Sequence, residues 1–290
     1  MKRKSLVKDE KGVAYAEFLI AFPPVLILFL CLVQLSLMYV GKLAVRHSAN
    51  RAARAAVVVI PDDPQYYDGE AVNEIDYQGS GTSTPSDTFF GSGLALGSGS
   101  PRIRAVRSAA YIPLTPFAPS IDNVLDDESV RTAFDRGVLD ALAGAFVYNR
   151  GATAVTFPPE PGSDSAPIET FDAHGLVTTR VTYFFHCGVP IVNRFMCDGA
   201  LELLLSSAGG FADAVIGSVT DAGTRDELSG ILDTIDDVFS GDSAVADGMR
   251  EMGYAEAPWL LTPWALGGGR FVLLRAEAVM PNQGAGFEYE

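Results

Sequence analysis

Gly12 stands directly before Val13-Ala14-Tyr15-Ala16-Glu17-Phe18, and Glu17 is a carboxylate at the mouth of a long apolar run. The Gly12–Val13 bond joins a basic leader to that run, which is how a processing site is arranged. Its hydrolysis would leave Val13 as a free amino terminus four residues before Glu17. The new ammonium, on the same subunit or a neighbour, could neutralise the carboxylate. Without a cation, burying Glu17 would cost several kcal/mol or force it to take up a proton. The simpler alternative is a Glu that reaches headgroup water.

The other reactive residues offer less. Cys187 and Cys197 frame a short loop, Gly188 to Met196, that could close as a disulfide in an oxidising compartment. A zinc site on His186, Cys187 and Cys197 is the sharper alternative, weakened by adjacent ligands and no clear fourth group. Cys31, inside the apolar run, reads as a small apolar side chain. His47, His174 and His186 are the three histidines and are too scattered to suggest a general base. No nucleophile elbow or metalloprotease helix occurs, and the glycines around residues 79 to 100 are not followed by Gly-Lys-Ser/Thr as a phosphate loop requires. Asp233, Asp236, Asp237, Asp242 and Asp247 lack the alternating calcium-loop spacing and read as solvated helix-face acids. The expectation is therefore a non-enzyme with no cofactor and no metal.

The first element that positions Glu17 is a membrane helix. Leu19 to Val40 contains no charged residue, and its 22 residues span about 33 Å as a helix, enough for the hydrocarbon layer. A cleaved secretory signal fits poorly, because the run exceeds the usual 7–15 or so apolar residues and no small-residue cleavage site follows. Charge alone orients the span weakly: Lys2, Arg3, Lys4, Lys8 and Lys11 precede it, while Lys42, Arg46, Arg51 and Arg54 follow closely. Pro23 and Pro24 should bend or loosen the helix. Beyond the membrane, Ala49, Ala52, Ala53 and Ala56 line one side, and His47, Asn50, Arg51 and Arg54 the other. The smooth side suits close helix packing, either on another helix or on the protein's own domain. Pro61-Asp62-Asp63-Pro64 should end the helix.

Gly12 before the cut, Glu17 as the fifth residue after it, Glu17-Phe18 with Pro23 six positions past the Glu, and the run Asn50-Arg51-Ala52-Ala53-Arg54-Ala55-Ala56 together resemble type IV pilus-like prepilins. The resemblance is closest to the TadE-like minor pseudopilins of tight-adherence (Flp-type) pili, and it covers about the first 60 residues. It implies a structural subunit cut between Gly12 and Val13 by a prepilin peptidase, with Glu17 and Phe18 serving assembly. It also implies a leader in the cytoplasm, a single pass through a bacterial inner membrane, and a C-terminal domain in the periplasm or carried into an extracellular pilus. The partners so implied are the peptidase, other pilin or pseudopilin subunits, an inner-membrane assembly platform and the lipid bilayer. The competing class is a membrane-anchored periplasmic domain whose binding or enzymatic activity shows in no motif.

The remaining chain fits export. Beyond Ile60 there is no Lys, and 12 Arg stand against 33 Asp and Glu, a net of −21. Such a body repels nucleic acid and acidic headgroups. Three parts are expected: a leader at 1–12, a helix at 13–60 with its transmembrane segment at about 19–40, and an exported domain at 61–290 with a flexible Gly/Ser/Thr-rich segment at 79–100. Within the domain, Ser100-Pro101 reads as a helix start, with Ile103, Val106 and Ala110 on one face. A second helix should run from about Asp122 to Phe146, and others over Leu201–Ile216 and Glu227–Phe239. Two-residue periodicity marks strands at Val177–Phe185 and Val272–Met280, with a shorter one within Ala152–Phe157. The fold class is α+β: a long N-terminal transmembrane helix, then a pilin-like domain with a small antiparallel sheet and several helices.

Overall fold

The computed structural model describes residues 10–77, 99–119, 138–199, 250–257, 261 and 269–282. The helices expected at Leu201–Ile216 and Glu227–Phe239, the Asp-rich stretch, most of segment 79–100 and the start of the Asp122–Phe146 helix lie outside these residues.

Helix α1 (Glu10–Val59) is 50 residues long and contains Pro23 and Pro24, which do not end it. It stops where Pro61 removes the next backbone donor, and Asp63 then caps a single 3-10 turn at Pro64–Tyr66 by accepting from the Gln65 N–H at 3.0 Å. Helix α2 (Pro101–Leu114) has Pro101 at its first position, where the missing N–H costs nothing. Ile103, Val106 and Ala110 are fully buried.

Helix α3 (Val138–Ala152) runs past the expected end at Phe146. Asn149 and Arg150 lie beyond that point inside the helix, and both side chains are buried with a distant partner. Asn149 Nδ2 donates to the Tyr111 carbonyl at 3.3 Å, and Arg150 pairs with Glu256 at 3.1 Å.

Strands β1 (Thr153–Thr156), β2 (Leu176–His186), β3 (Asp198–Gly199) and β4 (Arg270–Pro281) form an antiparallel sheet in the order β1-β2-β4-β3. The one-turn helix α4 (Asn193–Met196) lies between β2 and β3. β2 and β4 pair over their whole length, from Leu176 opposite Pro281 to His186 opposite Phe271. The register puts Val181, Tyr183 and Phe185 on one face with Ala276, Leu274 and Val272. That face meets α1: a Cβ added to Gly41 would lie 2.7 Å from the Phe185 ring and 3.2 Å from Leu274. The opposite face carries Thr178, Arg180 and Thr182, all buried, beneath residues 250–257. The protein is therefore α+β, with one long helix laid along a small antiparallel sheet.

Candidate functional site

Gly12 and Val13 lie in the first turns of α1. Glu17 is exposed and has no ion-pair or hydrogen-bond partner among the described residues. Around and above it the helix is bare and apolar: Phe18 is 59% exposed and Ile20 76%, and Phe18 stacks on Phe22 with ring centroids 5.1 Å apart. From Glu17 onward α1 is long and apolar enough to cross a membrane, and its most hydropathic stretch is almost wholly uncovered by the rest of the chain.

The bare surface ends on the domain side at Gln34, inside the apolar run. Gln34 is fully buried because the loop after β2 closes over it. Its Oε1 accepts from the Val189 N–H at 3.3 Å, and its Nε2 lies 3.9 Å from Cys197 Sγ. Cys187 and Cys197 form a disulfide, with Cα atoms 6.5 Å apart. That bond removes both thiolates from the zinc alternative. His186 sits half-buried against Phe271, and burial holds its pKa below the ordinary value. His47 and His174 are exposed. Among the described residues no group of three or more His, Cys, Asp or Glu could hold a metal.

Above Gln34 the helix docks on its own domain. Ala49, Ala52, Ala53 and Ala56 are fully buried, and Ser48 Oγ donates to the Ala110 carbonyl of α2 at 2.7 Å. Here the two readings of the smooth face separate: it is filled by this chain's own α2 and sheet. His47, Asn50, Arg51 and Arg54 all face outward.

The end of α1 has no basic residue in its last turn, so its terminal carbonyls need a donor from elsewhere. Arg102, fully buried at the start of α2, provides it. Its Nη1 donates to the Val59 and Ile60 carbonyls, and its Nη2 donates to the carbonyls of Asp62 at 2.9 Å and Glu70 at 3.1 Å. The guanidinium lies 4.5 Å over the Tyr67 ring. Burial lowers its pKa, and Glu70 partly opposes that shift. Glu70 also caps α2, because its Oε2 accepts from the Arg102 N–H at 3.2 Å. Ser100 occupies the N-cap position but makes no side-chain cap bond. A carboxylate some 30 residues away in sequence does the work expected of the serine hydroxyl.

The far face of the sheet holds a second buried cation. Arg180 donates to Glu251, to Glu277 at 2.7 Å and to the Ser163 carbonyl at 2.6 Å, while Arg275 reaches Glu251 at 3.1 Å and Asp164 at 2.9 Å. Burial alone would lower the Arg180 pKa, but the bonds to Glu251 and Glu277 outweigh it and the net shift is upward. This network holds residues 250–257 on the sheet and exposes no reactive group. No motif signalled it, because its members are scattered along the chain.

No curated protein and no solved structure matches the chain. Residues 12–54 match the model of the family described as TadE-like protein, a segment that begins at Gly12, contains Glu17 and Phe18, and closes at Arg54 on the outward face of the docked helix. Over these residues the chain is similar to the TadE-like family.

Proposed function

We propose that the protein is a minor pseudopilin-type subunit in the assembly of a tight-adherence pilus or a related secretion apparatus. It is inserted as a precursor in a bacterial inner membrane and cut by a prepilin peptidase between Gly12 and Val13. Its acidic body is held on the periplasmic side, where it meets other pilin or pseudopilin subunits and the assembly platform. The observation that carries this reading is the coincidence, within the TadE-like residues 12–54, of the Gly12–Val13 bond and an exposed Glu17 that lacks a partner among the described residues. Glu17 then pairs with a Val13 ammonium in the membrane, and an ion pair in that setting fixes the register of one helix on another. Phe18 packs beside it. The role is structural rather than catalytic.

The amino-terminal sequence and intact mass of protein purified from its native membrane test the processing step. A start at Val13 is expected; a start at Met1, or beyond Val40, removes the prepilin reading. Glu17→Ala should be processed normally yet fail to support piliation. Normal piliation in that variant would refute the pairing.

A further inference from the structure

We propose that the loop closed by Cys187 and Cys197 is a membrane foot, in which Ile191 and Phe195 enter the lipid at the outer boundary of the bilayer that α1 spans. This rests on the reading of α1 as a spanning helix.

The loop's height along α1 is fixed by Gln34, which it covers. If Glu17 marks one edge of the hydrocarbon, a layer about 30 Å thick ends some 20 residues later at 1.5 Å per residue, near Leu37. Measured from Val13 instead, the edge falls close to Val33. Both limits put the loop at the outer boundary of the membrane. At that level α1 presents Leu32, Leu35 and Leu37, which are 56%, 50% and 43% exposed. The loop, at the same height, adds Ile191 at 51% and Phe195 at 77%.

One further feature fits a lipid surface. Arg194 is exposed between the apolar pair, on a side chain long enough to lift its charge to the headgroups.

The test uses the full chain with its native tryptophans removed (Trp259→Phe, Trp264→Phe), reconstituted in phosphatidylcholine vesicles brominated on the upper acyl chain. Single tryptophans are placed by Phe195→Trp, by Leu32→Trp as the membrane reference and by Val58→Trp as the water reference. The expected result is that Phe195→Trp loses emission to about the same extent as Leu32→Trp, while Val58→Trp keeps its emission. Quenching at Leu32→Trp alone would overturn the foot and leave the spanning helix standing. Quenching at neither Leu32→Trp nor Phe195→Trp would overturn the spanning reading and the foot with it.

Discussion

The lower and upper parts of α1 form one helix in two different surroundings. From Tyr15 to Val33, Glu17 apart, the surface is mostly large apolar side chains standing clear of the rest of the chain. From Gln34 to Val59 one side is Gly41, Val45, Ser48 and alanines, all buried against the sheet and α2. Large residues stand where no other part of the described chain covers the helix, and small ones where another backbone must come close. A helix's hydrophobicity therefore does not say what covers it; side-chain size does.

That contrast gives graded expectations for denaturant unfolding in a mild detergent. The largest effect should come from Arg102→Met, which strips the donor from the Val59 and Ile60 carbonyls at the end of α1 and from those of Asp62 and Glu70 beyond it, and leaves Glu70 without its cation. We expect a loss of roughly 3–5 kcal/mol. Gly41→Ala should come next. In an isolated helix the change would help by about 1 kcal/mol, but here the added methyl meets the Phe185 ring at 2.7 Å. The net should be a loss of about 1–3 kcal/mol. Leu28→Ala, at a position 62% exposed on the bare part, should change domain unfolding by less than about 0.5 kcal/mol. If Leu28→Ala cost as much as Gly41→Ala, the lower helix would be packed against protein and the contrast would fail.

The sequence announced what depends on local pattern. The apolar run, the start of α2 at Pro101, the two long strands and the short-loop disulfide each show within a dozen or so residues. The outward row of His47, Asn50, Arg51 and Arg54 was legible as well, because helical spacing alone sorts it from the alanines. What occupies the alanine face was not legible, since α2 lies some 50 residues further on. The same reason hid the Gln34 contact, whose partners Val189 and Cys197 are about 160 residues away. Nothing near Arg102 and Arg180 in sequence reveals their burial. At α3 the helix runs six residues past Phe146, where Asn149 and Arg150 each have a distant partner that local sequence does not show.

One consequence of the docked upper helix concerns direction. The body grips α1 from Gln34 to the carbonyls that Arg102 binds, so the helix cannot roll about its own axis without turning the whole domain. Glu17 lies 17 residues below Gln34, which in a straight helix of 3.6 residues per turn sets it about a quarter turn away from the gripped face. In that straight-helix geometry the carboxylate would point to the flank of the body rather than beneath it. On the proposed pairing, a neighbour that neutralises it would have to approach from that flank, and the heading of the domain above would then tell where the next subunit stands.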